Sequence, residues 1–189
     1  MSTAPVRNIR AAFMGGSESG KSFLVSGYVR GQWRIHNRRA IVFDPWCKEK
    51  KRTDWGAGAW VTDNFSRWKL AATTGPNGCV VVWDEGTSYG GRDRENVEIF
   101  TAIRHCHPVF FFIGHRFDAM LPVMRGSLTD VFLARCRSGD AEEWADAFTD
   151  DDIMQACDLA QYEFLHKRAF QAIRRVRHTP AEITNGLVL

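Results

Sequence analysis

The chain has 189 residues, 44% of them hydrophobic and 25% charged, with a formal net charge of +3. That composition suits one compact soluble domain and excludes a disordered or fibrous chain. Its longest unbroken apolar runs, Cys79 to Trp83 and Val109 to Ile113, have five residues, against roughly 20 for a membrane span. Ala11 to Met14 is too short for the apolar part of a signal peptide, so the protein is expected to stay where it is made. Five cysteines without a C-x-x-C pair are expected to be free, buried thiols. Charge is segregated: eight Lys or Arg against two acids between Arg30 and Arg52 give a local +6, whereas Asp140 to Asp152 carries seven acids and no base.

In chain order, Ile9 to Met14 reads as a strand, followed by a glycine-rich turn and a helix from Lys21 to about Arg30. Ala40 to Phe43 is a second short strand closed by Asp44-Pro45, and Trp46 to Gly58 a long surface loop. A strand near Ala59 to Thr62 and a helix capped by Asp63 and running to about Ala72 follow. Cys79 to Trp83 and Val109 to Ile113 are apolar throughout, as strands buried on both faces must be. Between them Asp93 to Arg104 has helical spacing. Val131 to Ala134 predicts a last core strand, Ala141 to Phe148 an acidic helix, and Asp150 to Asp152 the cap of a terminal helix with Ile153, Cys157, Ala160 and Phe164 on its inner stripe. The last dozen residues show no period. Strand-helix alternation with apolar strands predicts an α/β fold, a mostly parallel central sheet flanked by helices. The expected organisation is one domain over 1–189, with 150–189 as a helical extension.

Gly15, Gly16, Ser17, Glu18, Ser19, Gly20, Lys21 and Ser22 satisfy G-x-x-x-x-G-K-[ST] between a predicted strand and a predicted helix. Such a loop turns its backbone N–H groups toward phosphate oxygens; Lys21 reaches the same oxygens and the Ser22 hydroxyl is placed for Mg²⁺. ATP or GTP is therefore the expected ligand. At the end of the next apolar strand, Asp84 suits the Mg²⁺ shell and Glu85 suits activation of a water. This favours a P-loop NTPase that hydrolyses over one that phosphorylates a small acceptor. His115 stands at the tip of the Val109 to Ile113 strand as a candidate sensor of the γ-phosphate, with a solvent-bonded histidine as the plain alternative. Arg104, Arg116 and Arg125 are candidates for the guanidinium that offsets transition-state charge, with Arg104 favoured. His105-Cys106-His107 has the composition of a metal site but no fourth ligand.

These landmarks resemble the HerA-FtsK superfamily of RecA/ASCE-like P-loop ATPases, and most closely the genome-packaging ATPases of tailless or membrane-containing icosahedral viruses. The match runs over about residues 8 to 150: the loop Gly15 to Ser22; Ile41-Val42-Phe43-Asp44-Pro45; Asp84-Glu85; and Arg104 at the family's finger-to-sensor spacing from His115, with Arg116, Leu121-Pro122, Arg125 and Val131-Phe132-Leu133 after it. Where much of the superfamily has Thr-Gln-Arg, this chain has Gly114-His115-Arg116. The resemblance implies hydrolysis of ATP, with Mg²⁺, coupled to translocation of viral DNA into a procapsid. It implies catalytic roles for Lys21, Glu85, Arg104 and His115. It also implies a homo-oligomeric ring, in the family usually a hexamer, acting on double-stranded DNA, with single-stranded DNA as the alternative. Capsid portal or vertex proteins and peripheral contact with an internal membrane are the implied partners, and the virion or host cytoplasm the implied location. The basic block Arg30, Arg34, Arg38, Arg39, Lys48, Lys50, Lys51 and Arg52, interleaved with Trp33, Trp46 and Trp55, is the expected backbone-contacting surface. The competing readings are a filamentous-phage-type assembly ATPase, a small P-loop nucleotide kinase and a nucleotide switch without turnover.

Overall fold

A computed structural model describes residues 8–49, 53–168 and 170–189. Eight strands form one sheet: β1 (Ile9–Met14), β2 (Ala40–Phe43), β3 (Ala59–Thr62), β4 (Val80–Trp83), β5 (Val109–Ile113), β6 (Asp130–Leu133), β7 (Glu163–Arg168) and β8 (Arg174–Arg177). Their spatial order is β3-β2-β4-β5-β1-β6-β7-β8. The first six are mutually parallel, β7 runs antiparallel to β6 and β8 antiparallel to β7. The sheet is thus mostly parallel and flanked by helices, as in RecA/ASCE-like P-loop NTPases.

The apolar runs explain the layering. Along β1, Ala12 and Met14 point into one core and Ala11 and Phe13 into the other, so each strand has to be covered twice. Helices α1 (Lys21–His36) and α6 (Pro180–Asn185) cover one face. The opposite face is covered by α2 (Phe65–Thr74), α3 (Glu95–Cys106), α4 (Pro122–Arg125) and α5 (Ser138–Phe148). Every residue of β2, β4, β5 and β6 is buried. Helix α1 extends past the expected Arg30 to His36 and ends where Asn37 takes a left-handed conformation. Asn64 caps α2, its side chain accepting from Arg67 N at 2.9 Å, whereas Asp63 pairs with Lys48. Helix α3 runs to Cys106, and α5 begins three residues before Ala141.

The carboxy-terminal quarter differs from the expected helical extension. Asp150 caps only a 3₁₀ segment, Asp151–Asp158, and the chain then enters the β7–β8 hairpin. The reason lies in β6: without a neighbour its outer edge would leave a row of backbone donors and acceptors unpaired, and β7 pairs with it from Asp130↔Arg168 to Leu133↔Leu165. Phe164 serves the core from a strand instead of a helix. Cys79 is buried and the other four cysteines are half-buried. His107 does not present a metal-binding ring: Nδ1 accepts from Cys79 N at 3.2 Å and Nε2 lies 2.9 Å from Ala72 O. Among the described residues no helix is long and apolar enough to cross a membrane.

The last residues are anchored. Helix α6 has a reciprocal capping box between Thr179 and Glu182, and Leu187 N donates to Gly27 O at 2.8 Å across α1. At Gly31 the backbones nearly touch, and a Cβ would lie 1.7 Å from Leu187 O. Replacing Gly31 by Ala should raise helix propensity by about 1 kcal/mol, yet overpacking should outweigh that gain and leave a net loss of about 1–2 kcal/mol. Urea denaturation is expected to show a lowered midpoint for G31A in the full chain, whereas in a chain without residues 186–189 G31A should no longer lower the midpoint; a raised midpoint for G31A in the full chain would contradict this packing.

Candidate functional site

Strands β4, β5 and β1 are adjacent and parallel, so the residues that follow them meet at one edge of the sheet. In open α/β sheets that carboxyl edge is where ligands bind. The loop leaves β1 at Gly15 and reaches α1 through Gly20, whose φ of 94° is a left-handed conformation that suits glycine. No side chain caps α1, so the first N–H groups of a 16-residue helix open onto the loop, an arrangement that attracts anions.

Lys21 is buried, and its ammonium donates to Gly15 O at 2.9 Å, Gly16 O at 2.6 Å and Ser19 Oγ at 3.3 Å. Burial lowers its pKa to about 8, partly opposed by the nearby Asp84 and Glu85 carboxylates. Asp84 is 4% exposed, stands beside the Ser22 hydroxyl and accepts through Oδ1 from Glu85 N at 2.8 Å. Desolvation, with repulsion from Asp44 beside it, raises the Asp84 pKa to about 7. A carboxyl and a hydroxyl held together, with a second carboxylate close by, form an oxygen donor set that suits Mg²⁺. The cost of burying Asp84 also falls when a cation is bound, so the residues fit the ion.

Glu85 has a left-handed φ of 53°. His115 Nε2 lies 3.1 Å from both Glu85 oxygens, and this bond is the main cause that lowers the Glu85 pKa, keeping it ionised. His115 is itself fixed by its backbone N–H, which donates to Thr87 Oγ1 at 2.8 Å, while its Nδ1 is buried without a partner among the described residues. A cavity of about 440 Å³ is lined by Ser17 to Phe23 together with Glu85, Ile113 and His115. Lys21, Ser22, Asp84, Glu85 and His115 therefore converge.

The arginines separate. Arg104 is exposed near the end of α3, which leads into the start of β5, so it stands at the amino-terminal edge of the sheet, opposite the loop. Its charge is felt by Arg10 at the start of β1. It is not part of this chain's own site, because α3 must return to the far edge before β5 can run parallel to β4. Arg125 donates to Phe117 O and Met120 O and lies 3.9 Å over the Phe117 ring. Only Arg116 of the three borders the loop, in a second cavity of about 730 Å³ shared with Gly16, Ser17, Arg135 and Arg137. Arg135 and Arg137 carry no sequence signature; they reach the loop because β6 pairs with β1.

The expected basic stripe is largely committed to the fold. Arg30 donates to Asp54 O and Ile183 O, Arg34 to Asn185 O and Gly186 O, Arg38 to Gln32, and Lys48 pairs with Asp63. Trp55 is buried with Nε1 on Asp44 at 2.8 Å, Trp33 is half-buried, and Trp46 is 54% exposed. Lys50, Lys51 and Arg52 lie outside the described residues.

No protein-family model matches the chain, and no curated protein matches it in sequence. Solved structures do match in fold. The genome packaging NTPase B204 of Sulfolobus turreted icosahedral virus 2, in complex with sulfate, superposes with a TM-score of 0.72 at 17% identity, over 92% of this chain and 100% of that one. The same protein in complex with ATP-γS gives 0.70 at 18% identity, over 91% and 97%. The pCW3 conjugation coupling protein TcpA, also with ATPγS, gives 0.56 at 12% identity, over 95% of this chain and 65% of that one. At these identities the likeness establishes the fold.

The Asp84 carboxyl carries a pH signature. Its pKa rises from 3.8 toward about 7 on folding, so its contribution to stability is intact below pH 4 and lost as pH climbs through 7. Metal-free protein should therefore weaken between about pH 4 and pH 7 and level off above that, and Asp84→Asn should flatten that profile and exceed wild type at pH 8 by on the order of 2–4 kcal/mol. Thermal unfolding in EDTA checks this; added Mg²⁺ should then raise the wild-type midpoint and leave that of D84N unmoved.

Proposed function

We propose that the chain hydrolyses ATP and couples the reaction to movement of DNA into a viral capsid. The observation that carries this reading is the convergence of Lys21, the Ser22–Asp84 pair and the Glu85–His115 pair at one sheet edge. The fold likeness to B204 of Sulfolobus turreted icosahedral virus 2, a genome packaging NTPase solved with AMPPCP, ATP-γS and AMP, and to B204 of Sulfolobus turreted icosahedral virus, a DNA-packaging ATPase, supports both the nucleotide and the packaging role.

The uncapped N–H groups of α1 and the loop amides bind the phosphates, and Lys21 exchanges its loop carbonyls for phosphate oxygens. Ser22 and Asp84 would hold Mg²⁺, which would supply positive charge against that of the phosphates. Glu85, kept ionised, accepts a proton from the attacking water. His115 holds that carboxylate and stands where it can respond to the γ-phosphate. Arg104, at the opposite edge, acts in trans, reaching a neighbouring copy's site in a homo-oligomeric ring, a hexamer in this reading. The ring encloses DNA, docks on a portal or vertex protein and works in the host cytoplasm or virion, in peripheral contact with an internal membrane where the virus has one.

Glu85→Gln should keep ATP affinity within about threefold while lowering kcat by about 10²–10⁴. Lys21→Ala should lose measurable ATP binding by calorimetry. Duplex DNA should raise the steady-state ATPase rate of the assembled protein at low salt, and 0.2 M salt should remove most of the stimulation. A wild-type assembly that turns over ATP at the same rate with and without DNA would refute translocation.

A further inference from the structure

The loop is clasped from two sides by parts of the chain far from it in sequence. On one side Gly16 N donates to Arg135 O at 2.8 Å. On the other, the segment Ala160 to Tyr162 leads from the 3₁₀ segment into β7. There Gln161 Nε2 donates to Glu18 O at 3.0 Å, and Tyr162 N donates to Ser19 O at 3.3 Å. The Tyr162 ring lies against Gly20, where a Cβ would come within 2.5 Å of it, and meets Phe23 edge-on at 5.9 Å.

Between these two holds lies a cavity of about 340 Å³ walled by Gly16 to Ser19, Arg135, Ala160 and Gln161. It lies on the β6–β7 side of the loop, away from Glu85 and Asp84. A triphosphate with its γ end toward Glu85 extends its nucleoside in that direction. The chemistry of the lining suits such a group. The Arg135 guanidinium and Gln161 Oε1 have no protein partner among the described residues. A planar cation stacks on a purine face or ribose. An amide oxygen whose own N–H₂ is held by the backbone is left as an acceptor, which suits the exocyclic amino group of adenine and opposes the carbonyl that guanine presents at that position.

We propose that this cavity is the nucleoside subsite, with Arg135 stacking on the base or ribose and Gln161 selecting adenine over guanine. The proposal rests on the ATP reading above and adds the residues that read the base. Calorimetry on the full chain with Mg²⁺ tests it, using ATP, GTP and inorganic tripolyphosphate as ligands. Wild type should bind ATP about tenfold or more tighter than either of the others. Arg135→Ala should weaken ATP about tenfold and leave tripolyphosphate unchanged, and Arg135→Lys, which keeps the charge but not the planar group, should behave like R135A. Gln161→Ala should bring the ATP-to-GTP ratio toward one. Equal loss of ATP and tripolyphosphate affinity in these variants would mean that the residues only hold the loop, and full rescue by R135K would mean a phosphate contact; either result overturns the proposal. Wild type that binds ATP no better than tripolyphosphate overturns the subsite alone, whereas wild type that binds neither refutes the nucleotide reading itself.

Discussion

Burial of opposite charges at one edge of a parallel sheet is the constraint around which this structure is organised. Lys21 and Asp84 are each about 95% covered by protein, Lys21 at the start of the helix that follows β1 and Asp84 just after β4, with β5 between the two strands. Either charge alone would be expensive in an apolar surrounding. Together they partly offset each other, and the burial that remains shifts both pKa values toward neutrality. A polyanion for the ammonium and a divalent cation for the carboxyl would relieve what the protein itself leaves uncompensated. The site therefore follows from strand order: with β5 and β1 in other positions, the same residues would be separate surface features.

The same edge sorts the remaining polar groups into distinct tasks. Glu85 sits one residue beyond Asp84, yet its left-handed backbone turns it to His115, so one carboxyl is pushed toward its neutral form while its neighbour is held charged. Two carboxyls with divergent proton affinities in one cleft are what cation binding and proton acceptance together require. The loop between them is held by backbone bonds from Arg135 and Tyr162, which tie it to β6 and the β7–β8 hairpin. The hairpin therefore both closes the edge of β6 and braces the loop.

How much of this could be read from the chain depended on the range of the interaction responsible. The strands at 9–14, 40–43, 59–62, 80–83 and 109–113 were legible because apolar runs bounded by turn residues are local signals. The loop at 15–22 was legible because only glycine tolerates some of its backbone angles and the lysine and serine have fixed offsets. The hairpin at 163–177 was not, because Ile153, Cys157, Ala160 and Phe164 imitate a helical stripe while the demand for a strand comes from the open edge of β6. The partners of the basic run from Arg30 were hidden for a related reason: in the fold the Arg30 and Arg34 guanidiniums meet carbonyls of α6 and the residue after it, more than 150 positions away.

By itself the sequence determined the α/β class, the phosphate-binding loop and the identity of the residues with chemistry to offer, since these rest on periodicity, backbone freedom and side-chain type over a few neighbouring positions. Tertiary structure alone decided which of those residues share a site. Parallel pairing of β4, β5 and β1 gathered Lys21, Asp84, Glu85 and His115, and the return of α3 to the opposite edge removed Arg104. Pairing of β6 with β1 and of β7 with β6 brought in Arg135 and Gln161. Strand order is set by non-local hydrogen bonding and by burial of both sheet faces, and no local stretch of sequence encodes it.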